Sequence, residues 1–268
     1  MLGTFATVIV VRDVFNFTQS SEYATGVRLW FILGTALVAS MLISGLVSVL
    51  VEVVAYRRLR RRNAGVLAPL ISAIGVSMVI AESVRIATDS RPVASPRAMD
   101  KSFIGQFFDA GIRLDNTIIV IAALILFVAL ITYINKTRMG KAIRAVSMNP
   151  NAARLMGVNI DAVISATFLI GGVMTGAAGF FYVLKYENTA SSIGFELGIA
   201  AFTAAILGGI GNIKGAFFGG LALGLLETYA SFFLGTQWKA VTVFVVLVLV
   251  LYTRPNGIFG ESMTQSRV

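Results

Sequence analysis

Apolar residues fall into blocks about as long as a bilayer-spanning helix, separated by short polar segments, along almost the whole chain. Read as helices, the blocks are 29–54, 66–86, 117–134, 162–184, 197–211, 216–234 and 240–252. The last is short and 197–211 is rich in glycine and alanine, so both are expected to be tilted, broken or partly re-entrant. Ahead of the first block, "MLGTFATVIVV" is apolar but too short to cross a bilayer, and neither a basic start nor a small-residue cleavage site marks it as a secretion signal. It reads either as the end of a segment preceded by further sequence or as a short re-entrant or interfacial piece. The expected fold is all-α: a polytopic transmembrane bundle of about seven to eight segments in a single domain, 1–268.

Composition agrees with the pattern. With 57% hydrophobic and 13% charged residues and a mean hydropathy of +0.84, the chain has the bilayer as its solvent. Zero cysteine excludes disulfides, thiolate metal sites and cysteine nucleophiles, and zero histidine removes the commonest metal ligand and general base. No cofactor is expected, and an intramembrane enzyme would lack a credible nucleophile and base.

The net charge of +9 is explained by orientation. If Arg57, Arg58, Arg60, Arg61 and Arg62 face the cytoplasm, alternation also puts 135–161, Lys214 and the tail from Thr253 inside. These segments hold 13 Lys or Arg against Asp161 and Glu261, whereas the opposite side holds 8 basic and 8 acidic residues. That asymmetry follows the positive-inside rule and places the C-terminus in the cytoplasm. Nucleic acid is not an expected partner, because no basic patch is interleaved with aromatics.

The glycine cluster "LGGIGNIKGAFFGG" at 207–220 is no phosphate-binding loop, since Lys214 is followed by Gly215 and no hydroxyl. Gly211, Gly215 and Gly219 instead recur at helical spacing, as do Gly172 and Gly176, which suits close helix packing. Thr203, Gly208, Gly209, Gly211, Gly215, Gly219 and the intramembrane carboxylate Glu227 are candidates for a solute pathway or for packing, and both readings stay open. Glu82 and Arg85 read as an ordinary intrahelical pair, and Glu52 as a snorkelling interfacial charge. In the loop 87–116, Phe103, Ile104, Phe107, Phe108 and Ile112 suit a short amphipathic helix at the interface.

Between two apolar blocks lies "RMGKAIRAVSMNPNAARLMGVNI". Within it Asn149 suits an N-cap, Pro150 the first helical position and Gly157 the left-handed residue past the end. The two turns between them present Ala152, Ala153, Leu155 and Met156 as apolar contacts and Arg154 as an ion-pair donor. So short a helix needs a surface to dock on. The alternative is a loop held on anionic lipid by Lys136, Arg138, Lys141 and Arg144. On physical grounds the two are even.

The run from Thr137, Arg138, Met139, Gly140 and Lys141, the stretch "NPNAARLMGVN" and the stretch "AFTAAILGGIGNIKGAFFGGLALGLLE" together resemble the LivH-type membrane permeases of branched-chain amino-acid ABC importers. The resemblance runs from about "VEVVAYRRLRRR" to "RPNGIFG". The family's usual first helix and its "NFAHGE"-like segment are absent here, and Thr137 stands where serine is common. The resemblance implies a non-enzymatic, multi-pass subunit of the inner membrane that moves branched-chain or related amino acids. Its implied partners are a second, LivM-like permease, two cytoplasmic ATP-binding subunits and an external solute-binding protein. It also implies that 135–161 is the cytoplasmic coupling loop, with Asn149 to Gly157 as the helix seated on the ATPase. Permeases for urea, short amides or other small polar solutes share this pattern, and an ATP-independent secondary transporter is the rival of another class.

Overall fold

Between its ends a helix satisfies its backbone groups within itself, which is what an apolar block needs in lipid. The structure, a computed structural model, describes residues 1–15, 27–62, 67–96, 103–107, 110–254 and 257–260. Two units are formed, Met1–Ser191 and Ser192–Val268.

The first unit contains α1 (Leu2–Ile9), α2 (Val27–Val51), α3 (Arg57–Arg61), α4 (Leu67–Ala87), α5 (Leu114–Lys136), α6 (Arg138–Met148), α7 (Pro150–Leu155) and α8 (Ile160–Tyr186). Its short strands are β1 (Val93–Ala94), β2 (Phe103–Phe107), β3 (Ala110–Arg113) and β4 (Asn188–Thr189). The second unit holds α9 (Ile193–Gly208), α10 (Ile213–Leu234) and α11 (Lys239–Thr253). Each of the seven apolar blocks thus corresponds to a helix. Among the described residues, five helical stretches are long and apolar enough to span: Val27–Arg61, Leu114–Lys136, Ile160–Tyr186, Ile213–Leu234 and Thr236–Thr253. α4 is a further apolar helix of 21 residues, and α9 is shorter, at 16.

The core of the first unit is the packing of α1, α2 and α8 on one another. Val11, Ile32, Leu33, Ala36 and Phe180 form its apolar centre. Beside it, small residues let the backbones touch. A Cβ on Gly176 would stand 2.4 Å from the Ser40 carbonyl oxygen, and one on Gly172 2.8 Å from the Gly45 Cα. Hydroxyls use that proximity: Ser40 Oγ donates to the Gly176 carbonyl at 2.6 Å and Ser48 Oγ to the Phe168 carbonyl at 2.7 Å.

The segment starting at Met1 is helical and buried through Gly3, Thr4, Ala6, Thr7 and Val8. The Thr4 and Thr189 hydroxyls hydrogen-bond at 2.5 Å, tying α1 to β4, which pairs antiparallel with β1.

The amphipathic helix expected in 87–116 is not formed. β2 and β3 make an antiparallel hairpin there, with Phe103 opposite Arg113, Phe107 opposite Ala110 and an irregularity between Phe103 and Gly105. Gly105 and Gly111 weaken a helix across this stretch, while the flanking aromatics favour strands. Phe108, also assigned to that helix, lies outside the described residues.

In the second unit, Leu207, Leu223 and Val243 form the buried centre, with Ala200, Ala204 and Val246 packed around them.

Candidate coupling and translocation sites

The polar loop folds into two helices on an abrupt corner. α5 ends at Lys136 and α6 starts at Arg138, so Thr137 alone makes the turn. Its hydroxyl donates to the Tyr133 carbonyl at 2.7 Å and accepts from Gly140 N at 3.0 Å, serving both helix ends. Gly140 is required there, because a Cβ would lie 2.1 Å from the Ile134 carbonyl oxygen. Met139, Ala142, Ile143 and Val146 form a half-buried stripe at helical spacing, and α6 packs on α5 and α8. Lys136, Arg138, Lys141 and Arg144 are exposed, and Arg144 donates to the Asn135 side chain at 3.2 Å.

α7 has the ends that its sequence announces. Asn149 Oδ1 accepts from Asn151 N at 3.0 Å and Ala152 N at 3.1 Å, and Pro150 takes the first helical position. Gly157 adopts φ +82°, and the amides of Gly157 and Val158 return to the carbonyls of Arg154 and Ala153, both at 3.0 Å. Ala153 is buried, while Ala152 and Arg154 are exposed. Leu155 is 89% exposed and Met156 84%, and Met148, just before the cap, is 87% exposed. The capped helix α7 thus ends on two large apolar side chains almost wholly in the open, with Met148, the last residue of α6, a third beside them. Met148 is the member that the sequence reading missed, because it precedes the capping signal.

Below this loop sits a buried charge that the sequence reading placed at the interface. The helix of α2 passes through a π turn at Glu52–Tyr56 before α3, and Glu52 is 0% exposed. Its carboxylate accepts from Arg57 at 3.0 Å, Arg60 at 3.1 Å and the Ser165 hydroxyl at 2.7 Å. The same Arg60 Nη2 donates to Asp161 at 2.5 Å, and Arg61 reaches Asp161 at 3.3 Å. Glu52 cannot snorkel, because it is enclosed where α2 meets α8. The signal was hidden by spacing: Arg57 is five residues on, out of step for an α-helix but in step for a π turn.

In the second unit, the glycines divide by role. Gly208 and Gly215 face each other so closely that a Cβ on either would stand about 2 Å from the other's carbonyl oxygen, at 2.1 and 2.2 Å. A Cβ on Gly219 would lie 2.3 Å from the Ala204 carbonyl oxygen. Gly209 and Gly211 have φ +102° and +96°, which form the turn between α9 and α10. Thr203 is fully buried and donates to the Ile199 carbonyl at 2.9 Å, within its own helix. Glu227 is half-buried on α10, about 12 Å along the helix from Gly219, so it stands apart from the glycines. Residues past α11 join the turn: the amides of Ile258 and Phe259 donate to the carbonyls of Leu207 at 2.9 Å and Gly208 at 3.2 Å. Asn212 caps α10 at Gly215 N and donates to the Phe259 carbonyl at 3.1 Å.

The family model described as "Branched-chain amino acid transport system / permease component" matches residues 1–251. The high-affinity branched-chain amino acid transport system permease protein LivH of Escherichia coli K12 is 38% identical over 97% of this chain and 83% of its own length. The permease protein BraD of Pseudomonas aeruginosa is 38% identical over 84% of this chain and 74% of its own. A probable LivH of Methanocaldococcus jannaschii is 26% identical over 94% of this chain and 84% of its own. No solved structure matches.

Proposed function

The chain belongs to the branched-chain amino acid transport system permease family, and from that premise we propose that it uses α7 to receive motion from a separate ATP-hydrolysing subunit and moves branched-chain amino acids across the inner membrane. The observation that carries the coupling role is the exposure of Leu155 and Met156 on a helix fixed at both ends, with Met148 equally exposed at the end of α6 beside its cap. An apolar knob that none of the described residues covers needs a socket, and lipid contact alone would not call for two caps.

Two cytoplasmic ATP-binding subunits, a second, LivM-like permease and an external solute-binding protein complete the machine in this reading, with 135–161 and the C-terminus on the cytoplasmic side. Closure of the ATPases pushes α7, and the helices attached to it tilt to open the opposite face. Solute choice rests with the binding protein.

The test is reconstitution of this chain with those partners in proteoliposomes. Leucine uptake is expected to require ATP and the binding protein. The double substitution Leu155→Asp and Met156→Asp is expected to abolish copurification of the ATPase and uptake together. Uptake without ATP would establish a secondary transporter, and retained copurification would remove the docking role from α7.

A further inference from the structure

Motion received at α7 has to reach the membrane-spanning helices, and the chain offers little slack on the way. Only Met156 to Asn159 separate α7 from α8, and Asn159 is itself the cap of α8, accepting from Ala162 N at 3.2 Å. Asp161 follows in the first turn of α8, where a carboxylate also suits the helix dipole. From Asp161 a continuous chain of charge runs into the neighbouring span: Asp161 to Arg60, Arg60 to Glu52, and Glu52 to Arg57, with Ser165 closing the loop back to α8. Arg57 also donates to Ser165 at 2.7 Å, so both faces of that hydroxyl are used.

Stability does not call for ions at this crossing. Burying charges costs several kcal/mol per ion in real proteins, and apolar side chains of similar volume commonly do as well or better. α2 and α8 are already held farther along by Ser40, Gly45, Ser48, Gly172 and Gly176. What the ion chain adds is a directional link at the one end of α2 that lies beside the coupling loop. The π turn at Glu52–Tyr56 aims Glu52 into that link, and such a turn is one hydrogen-bond register away from ordinary α-helix.

We propose that the chain Asp161–Arg60–Glu52 is a clamp that makes α2 and α8 respond as one body to displacement of α7, so that these three are positioning residues for translocation. The proposal rests on the permease reading above. Without the clamp, the end of α8 beside α7 moves without the end of α2 it faces, and ATP is spent without a full stroke.

The complete reconstituted transporter tests this, with leucine uptake and ATP hydrolysis measured in the same vesicles. Arg60→Gln and Asp161→Asn are expected to lower leucine moved per ATP by about fivefold or more, the low end of measured couplings between sites. Asp161 is partly exposed, so its variant keeps the test open should Arg60→Gln fail to assemble. Arg60→Lys is expected to stay within about twofold of the unmodified protein, because a single Nη2 makes both contacts and one ammonium can stand in its place. A parallel fall in uptake and hydrolysis, with their ratio unchanged, would show that the ions only hold the fold and would overturn the clamp. So would an unaltered ratio at unaltered rates, or an Arg60→Lys as defective as Arg60→Gln. If the unmodified complex shows no ATP-dependent uptake, it is the permease reading that fails instead.

Discussion

At the scale of single residues, the decisive quantity is how near two backbones come. Gly176 sits 2.4 Å, by the Cβ it lacks, from the Ser40 carbonyl and 2.7 Å from the Met41 Cα, neither of which is a side chain that can swing away. Gly176→Ala is therefore expected to force α2 and α8 apart at a cost of about 1–3 kcal/mol. It should appear as a lower unfolding temperature in detergent. Gly75→Ala in α4 has nothing within 4 Å and is expected to be neutral or mildly stabilising. Equal melting of the two variants would refute the close-approach account. The four-residue spacing of Gly172 and Gly176 was legible in the sequence. Their partners were not, because serine at positions 40 and 48 looks like an indifferent interruption of an apolar run until the carbonyls it serves are known.

Elements were legible where their signals are local. α7 carries its own start and stop, and Asn149, Pro150 and Gly157 all occupy the expected positions. Asn149→Ala is expected to cost about 1 kcal/mol of local helix stability, seen as faster amide exchange over 151–155, whereas Asn149→Asp keeps an acceptor and protects those amides. Exchange unchanged in Asn149→Ala would mean that packing, not the cap, holds the turn. α6 was missed although its stripe of Met139, Ala142, Ile143 and Val146 is written at helical spacing, because the charges on its other face dominate the eye. The β2–β3 hairpin was misread for a different reason. Ile104 and Phe108 supply helical spacing to Phe103, Phe107 and Ile112, and that spacing hides the two signals against it, the glycines at 105 and 111 and the pairing of 103–107 with 110–113. Glu52 was misplaced because the π turn breaks the register on which helix-face arguments depend.

For the whole molecule, hydropathy alone located a helix for each of the seven apolar blocks, five of which lie in stretches long and apolar enough to span among the described residues, since a bilayer admits so few alternatives. Orientation was read from charge, and the absence of cysteine makes it straightforward to examine. Single cysteines at Ser147 and Ala94, both exposed, are expected to react with an impermeant thiol reagent from opposite sides of the membrane. Labelling from one side only would invalidate the alternation. What hydropathy could not disclose is how distant segments complete one another, and the turn after α9 is the clearest case. Its last carbonyls, on Leu207 and Gly208, are served by amides of Ile258 and Phe259. Those donors do not exist until α10 and α11 have been synthesised. During its manufacture, then, α9 must wait with an open end, kept in water or against other protein, until the ribosome has passed α11 and supplied the stitch that closes it.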